Sequence, residues 1–120
     1  MVFSFMHHMF KTIFAVFAVC FLLGSAAFSQ DVGLWMRFDR EFTSSKDYSN
    51  ALYDLKFSVQ FTSPTGRVKN IFGFWDGGRS WRVRFMPDEK GIWKWRTESS
   101  DKSNSGLNDQ SGSFRCVSNV

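Results

Sequence analysis

The sequence predicts an all-β protein, a small antiparallel β-sandwich, and three observations carry that prediction. Apolar residues recur with a period of two rather than 3.6, which is the spacing of a strand with one buried face. Turn residues separate six or seven such segments at fairly regular intervals, as in many sandwiches. All five tryptophans follow residue 29, so large aromatic side chains provide the buried area that a domain of about 90 residues needs without a disulfide.

The first 29 residues have the character of a cleaved secretory signal peptide. An apolar run from Thr12 to Leu23 follows a weakly basic start, and small residues come after it. This run is shorter than the roughly 20 apolar residues of a membrane span, which makes an uncleaved anchor the less favoured alternative. Cleavage after Ala27 or, preferably, after Ser29 leaves a mature domain of residues 30–120. We expect that domain to be secreted, into a periplasm or outside the cell, and to meet the membrane only during export.

Cleavage removes much of the reactive chemistry of the chain. The mature domain keeps fourteen of the fifteen Lys and Arg residues and all eleven acids, a net charge of +3, and neither histidine. That excess is too small to indicate nucleic-acid binding. Cys116 is then a lone thiol, expected as a half-buried strand residue, although an intermolecular disulfide stays open. The residues indicate no cofactor, and the scattered acids leave a surface calcium site as the only metal alternative.

The predicted strands begin near the start of the mature domain. Residues 32–42 predict a strand pair or one bent strand, and polar residues 44–50 connect it to the next. Residues 53–62 alternate most cleanly and end at a turn, 63–66, that contains proline and glycine. Residues 69–75 are apolar on both faces, which predicts a strand in the centre of a sheet.

The remaining strands come from the aromatic second half of the domain. Residues 81–86 and 92–98 predict a β-hairpin with a five-residue loop, 87–91. A long polar surface loop, 99–113, then leads to a last short strand at 114–117, and no segment predicts a helix of any length. The arrangement is typical of the immunoglobulin-like class, although the Cys-Trp-Cys hallmark of antibody domains is missing.

The predicted hairpin separates its aromatic and cationic residues onto two faces. Strand alternation assigns its three tryptophans to the core and four cations to the outer face. Four like charges on paired strands repel one another unless anionic groups lie among them. An anionic polysaccharide would supply those groups, but pairing with acids of adjoining strands is the favoured interpretation. The cations are Arg82, Arg84, Lys94 and Arg96, and the acids considered as partners are Asp39, Glu41, Asp54 and Glu98.

Two further tryptophans lie among polar neighbours. Trp35 shares its face with Arg37 and Asp39, and Trp75 follows Lys69 at even spacing. A tryptophan on a polar face offers a flat platform to a sugar ring, with its indole N–H free to form a hydrogen bond. A neighbouring domain would cover the same surface. The candidate carbohydrate-binding residues are therefore Trp35, Trp75, Arg82 and Arg84.

Catalysis by this domain is not expected. A hydrolase that works through a pair of carboxylates needs them to face each other across a cleft, and one small sandwich offers little room for them. Asp76, Asp88 and Glu89 lie in predicted turns, where such residues commonly form the turn itself. We therefore expect no catalytic residue in the mature domain.

Six short motifs follow one another in order across residues 31–118. They are Tyr48-Ser49-Asn50-Ala51, Phe61-Thr62-Ser63-Pro64-Thr65-Gly66, Gly73-Phe74-Trp75-Asp76-Gly77-Gly78, Trp81-Arg82-Val83-Arg84-Phe85-Met86-Pro87, Gly91-Ile92-Trp93 and Gly112-Ser113-Phe114. In these motifs and their order the chain resembles the DUF5060 family, the small β-sandwich at the N-terminus of secreted bacterial glycoside hydrolases, ahead of a barrel-shaped catalytic module. The chain departs from the family pattern at Ala51, where proline is expected, and in stopping at Val120 rather than continuing into a barrel.

The resemblance implies a non-catalytic accessory domain of carbohydrate-active enzymes. Its partners would be a polysaccharide, or an adjacent glycoside hydrolase catalytic domain that it braces. Two alternatives stay open. In the first, the chain is the N-terminal fragment of a glycoside hydrolase whose barrel is missing. In the second, it is a structural or adhesive sandwich with no sugar site. Sugar specificity, strand order and oligomeric state do not follow from the residues.

Overall fold

The computed structural model describes residues 30–119, so the proposed signal peptide lies outside the described residues. The described residues form eight strands and one short helix. This helix is too short to cross a membrane. In chain order the elements are β1 (Gln30–Gly33), β2 (Phe38–Thr43), α1 (Ala51–Asp54), β3 (Phe57–Thr62), β4 (Val68–Phe72), β5 (Phe74–Trp75), β6 (Ser80–Phe85), β7 (Gly91–Ser99) and β8 (Ser111–Val117).

The strands form two sheets that pack face to face. The larger sheet has five strands in the order β1-β8-β7-β3-β4, and the smaller has three in the order β2-β6-β5. Neighbouring strands run antiparallel except for β1 and β8, which run parallel. The predicted immunoglobulin-like β-sandwich is confirmed, and the parallel pair is a detail that residue patterns do not reveal.

The core between the sheets is built from aromatic side chains of both inner faces. Phe61 of the large sheet stacks on Phe85 of the small sheet, with 4.2 Å between ring centroids. Phe85 also contacts Trp93 edge-on, with centroids 5.1 Å apart. Trp81, Trp93 and Trp95 are all buried, as strand alternation predicts. Each of these rings removes a large apolar area from water. This burial supplies stability that a disulfide would otherwise provide, and the described residues contain no disulfide.

The predicted hairpin of residues 81–86 and 92–98 is wrong, because β6 and β7 lie in different sheets. Arg82 of β6 pairs with Glu41 and Phe74, whereas Arg96 of β7 pairs with Gln60 and Ser111. Both strands carry aromatic side chains on their inner faces. These side chains bury more apolar surface when the two strands face each other across the sandwich than when the strands are neighbours in one sheet. The segment after β6 is therefore a crossover between sheets.

The predicted central strand at 69–75 is also wrong. The segment breaks at Gly73 into β4 and β5, and each lies at the edge of a different sheet. A Cβ atom at Gly73 would lie 2.3 Å from Cδ1 of Phe57, so only glycine lets the backbone pass this close to the core. Phe72 and Phe74 are consequently exposed rather than central.

The start of the predicted strand at 53–62 is replaced by the single helical turn α1. A carboxylate oxygen of Asp54 accepts a hydrogen bond of 2.9 Å from the backbone N–H of Asn50 and closes this turn. Ala51 is the first helical residue. Proline is favoured at the first helical position, and alanine, the best helix former, suits it as well.

Candidate functional site

The four residues predicted to bind carbohydrate do not form one surface. Trp75 pairs with Trp81 at the start of β6, close to both candidate arginines of that strand. Trp35 lies at the other end, where its backbone N–H donates a 2.9 Å hydrogen bond to the carbonyl oxygen of Pro87. Trp81 and Pro87 are six residues apart, which corresponds to about 20 Å along a strand. The structure therefore offers two separate candidate surfaces.

A shallow cleft opens beside Trp75, where α1 and the edge strands β4 and β5 meet. We call it the edge cleft, and its volume is about 270 Å³. Of its lining residues, Phe72 is 81% exposed and Leu52 63%, whereas Phe74 and Trp75 are partly covered. The lining residues are Leu52, Leu55, Lys56, Phe57, Phe72, Gly73, Phe74, Trp75 and Trp81.

Two of the exposed rings are held in place by specific contacts. The indole N–H of Trp75 donates a 2.9 Å hydrogen bond to the carbonyl oxygen of Gly78. The expectation that this N–H is free to bind a sugar is therefore wrong. This contact depends on the turn after β5, where Gly77 and Gly78 have positive φ angles that favour glycine. The guanidinium carbon of Arg84 lies 5.0 Å from the ring centroid of Phe74. Rings held in this way lose little side-chain entropy when a ligand binds.

The arginines beside the cleft are neutralised by neighbouring acids. Arg82 forms ion pairs with Asp76, Asp39 and Glu41, at N–O distances of 2.9, 3.1 and 3.2 Å. Arg84 binds the second oxygen of Asp39 at 3.0 Å, and this hydrogen bond is the main cause of the lowered pKa of Asp39. Two cations thus face three carboxylates, a net charge of −1.

The predicted face of four cations is therefore wrong. Arg82 and Arg84 project from the small sheet, whereas Lys94 and Arg96 alternate with buried residues of the large sheet and face the opposite side of the sandwich. Arg96 pairs there with Asp109. The outer face of the large sheet forms a polar groove of about 520 Å³ whose lining contains no aromatic residue among those described. This groove offers hydrogen-bonding groups but no platform for stacking.

The most exposed aromatic residue of the edge cleft was missed from the sequence. Phe72 was assigned to a strand with both faces buried, and its exposure follows from the edge position of β4. One signal was available, because a glycine inside an apolar strand pattern indicates a break or a close backbone approach. Gly73 is that residue.

Residues 30–119 contain no group of three or more His, Cys, Asp or Glu side chains arranged to hold a metal ion. The acids near the edge cleft point instead toward arginines. Asp39, Glu41 and Asp76 each accept a hydrogen bond from Arg82. Their chemistry in this structure is charge neutralisation at the outer face of the small sheet.

The fold and the edge cleft define a small two-sheet β-sandwich domain with an aromatic edge. The model of the DUF5060 family, a domain of unknown function, matches residues 31–100, and the chain belongs to that family. A search of curated proteins found no match. Among solved structures, the chain is similar to a "putative glycoside hydrolase" from Bacteroides vulgatus ATCC 8482, with 28% sequence identity and a TM-score of 0.64. The match covers 77% of this chain and 17% of that chain, so this chain spans less than a fifth of the relative.

Proposed function

We propose that this chain is a non-catalytic accessory domain of a glycoside hydrolase and that it binds a neutral polysaccharide at the edge cleft. The similarity to a small part of a glycoside hydrolase supports an accessory domain. The observation that carries the binding proposal is that the exposed ring of Phe72 and the partly exposed rings of Phe74 and Trp75 line one cleft. Sugar rings present C–H groups that stack on such platforms, and shallow concave sites with aromatic walls are typical ligand sites.

Charge favours a neutral sugar at this cleft. The arginines that would attract a carboxylate or sulfate already bind Asp39, Glu41 and Asp76. An acidic polysaccharide would have to displace those acids and would meet a cluster with a net charge of −1. Binding of a neutral chain should change little with salt concentration, because screening acts on charged groups.

The acids of the domain support a non-catalytic role. The general acid of a glycosidase needs a raised pKa so that it carries a proton near neutral pH. Asp39 and Asp88 have lowered pKa values instead, because arginines donate hydrogen bonds to them. The residues that line the edge cleft include no carboxylate among those described. Hydrolysis would therefore belong to another module of the enzyme.

The proposal is tested by isothermal titration calorimetry of residues 30–120 with xyloglucan, β-glucan and galactomannan, and with alginate as an acidic probe. Calorimetry is preferable to fluorescence because Trp75 itself would be mutated. We expect saturable binding of a neutral polysaccharide that weakens about fivefold in Trp75→Ala, since losing one stacked ring costs on the order of 1 kcal/mol. Phe72→Ala, at a far more exposed position, should weaken binding without endangering the fold.

Trp35→Gly is the matched control, because Trp35 lies at the other end of β6 and should not affect binding. Equal affinity in all three variants would remove the edge cleft from the binding site. No heat of binding from a folded domain with any of the probes would contradict carbohydrate binding. Self-association that disappears in Phe72→Ala would instead identify the cleft as an adhesive interface, since exposed apolar patches of a few hundred Å² commonly mark interfaces.

A further inference from the structure

The edge cleft continues into other depressions of the surface. Beside it lies a second pocket of about 280 Å³, which we call the middle pocket. Lys56, Phe57 and Phe72 line both the edge cleft and the middle pocket. The middle pocket in turn shares Ser58 and Glu98 with the polar groove of about 520 Å³ on the outer face of the large sheet. Three depressions therefore follow one another along the surface of the domain.

Phe72 lies at the junction of the edge cleft and the outer face of the large sheet. It is the direct partner of Ser58 in the pairing of β3 with β4. The side chains of directly opposite residues lie on the same face of a sheet, with their Cβ atoms about 5 Å apart. Ser58 lines the polar groove, so the exposed ring of Phe72 lies beside that groove as well as beside the edge cleft. Phe72 thus supplies a stacking platform at the end of the groove.

A row of polar side chains crosses the polar groove. Gln60 of β3 is paired with Asn70 of β4 on one side and with Arg96 of β7 on the other, so the row is roughly 10 Å wide. All three residues are exposed. An amide side chain both donates and accepts hydrogen bonds, as a sugar hydroxyl does. The groove therefore has the polar groups that orient a sugar chain whose rings stack nearby.

The charges of the polar groove balance among its described lining residues. Lys102 pairs with Glu98 at 3.0 Å and Arg96 pairs with Asp109 at 2.6 Å, so two cations face two carboxylates. The backbone N–H of Asp109 donates a 3.0 Å hydrogen bond to the carbonyl oxygen of Thr97, which fixes this wall of the groove against β7. A balanced groove gives an acidic polymer no advantage over a neutral one. The same class of ligand therefore suits the groove and the edge cleft.

We propose that one neutral polysaccharide chain occupies the edge cleft, the middle pocket and the polar groove together. Its sugar rings stack on Trp75 and Phe72, and its hydroxyl groups form hydrogen bonds with Gln60 and Asn70. This inference rests on the proposed function and extends its binding site. The edge cleft alone, at about 270 Å³, is below the roughly 300 Å³ at which small-molecule sites commonly begin. Contacts at both ends of one chain act at a high effective concentration, so affinity should rise steeply with chain length.

Nuclear magnetic resonance of isotope-labelled residues 30–120 tests this directly. The indole N–H of Trp75 and the side-chain amides of Gln60 and Asn70 give separate signals, and loss of a signal in Gln60→Ala or Asn70→Ala assigns each amide. The probes are cellobiose and cellohexaose, and mannobiose and mannohexaose. We expect a hexaose to shift all three signals with one midpoint concentration. A biose should bind more weakly and shift the indole signal alone.

Gln60→Ala and Asn70→Ala should each weaken binding of the hexaose about fivefold and leave binding of the biose unchanged, since each removes one hydrogen bond. Ser113→Ala is the matched control, because it removes a polar side chain from the same outer face outside the groove and should change neither affinity. A hexaose that shifts the indole signal but neither amide would overturn this inference and leave the edge cleft proposal intact. Amide signals that shift while the indole signal stays still would also overturn it, since the groove would then be a site of its own. No shift with any of the four probes would contradict the proposed function, and this inference with it.

Discussion

Replacing Asn104 by alanine should destabilise the domain more than any other substitution of a polar side chain in its loops. Asn104 is fully buried, and its side chain joins the long loop between β7 and β8 to the connection after β2. Its amide nitrogen donates to the hydroxyl groups of Ser44 and Tyr48, at 2.8 and 2.9 Å. Its amide oxygen accepts from the backbone N–H and the hydroxyl of Ser45, at 3.0 and 2.9 Å.

The size of the effect follows from these four hydrogen bonds. Each contributes about 1 kcal/mol net, so Asn104→Ala should cost about 4 kcal/mol, and more if a buried partner is left without a hydrogen bond. A domain of about 90 residues has a free energy of unfolding of roughly 4–13 kcal/mol. The substitution should therefore remove a large part of that stability and lower the melting temperature by roughly 16–32 °C.

The assay is urea unfolding of residues 30–120, followed by tryptophan fluorescence, with Asn70→Ala as the control. Asn70 is exposed on β4, and its substitution should change stability by less than about 0.5 kcal/mol. An Asn104→Ala variant that loses less than about 1 kcal/mol would refute the reasoning. In that case the two loops would not depend on the amide for their association.

Three further measurements address the core and the charges. Gly112→Ala should lower the free energy of unfolding in urea by about 1–3 kcal/mol, because the new Cβ atom would lie 2.4 Å from Cζ2 of Trp95. A loss no larger than that of the control Ser113→Ala would contradict this. Asp88 has its pKa lowered from 3.8 to about 2, so the stability that its ionised form contributes is complete above the unfolded value and is lost as pH falls through the folded value. The fall in unfolding free energy from about pH 5 to about pH 2 should be smaller in Asp88→Asn, and identical slopes would count against the ion pairs. Cys116 is 2% exposed, and burial raises the pKa of its thiol. A thiol reagent should therefore label it about a hundredfold more slowly in the folded than in the unfolded domain. Fast labelling of the folded domain would mean that β8 opens readily.

Strand alternation was a reliable guide to which side chains face the core. Trp81, Trp93 and Trp95 are buried, and the turn after Phe61 and the loop around the buried Leu107 lie where the residue pattern predicts them. These features depend on local spacing and on turn chemistry, which a single sequence carries. The fold class follows from them because short alternating strands have few ways to bury their apolar faces.

Sheet membership was not accessible in the same way. Alternation assigns a face to each residue but does not identify the neighbouring strand, and the choice between a hairpin and a crossover depends on contacts that are distant in sequence. Residues 81–86 and 92–98 show this clearly, since a short loop containing proline and glycine suits either arrangement. The edge position of Phe72 could not be derived for the same reason, although Gly73 signalled an interruption.

The corrected position of β6 changes the expected ligand as well as the topology. Had β6 paired with β7, four cations would share one face, and an acidic polysaccharide would be the alternative to their pairing with acids of adjoining strands. With β2 as the actual neighbour, Arg84 lies opposite Asp39 and Arg82 lies opposite Glu41, so each arginine meets an acid across the strand pair. The charges of this sheet then stabilise one another, and Arg84 still packs against the ring of Phe74. An arginine placed this way orients an aromatic platform rather than attracting an anion, which is why binding at the edge cleft should follow ring stacking and not ionic strength.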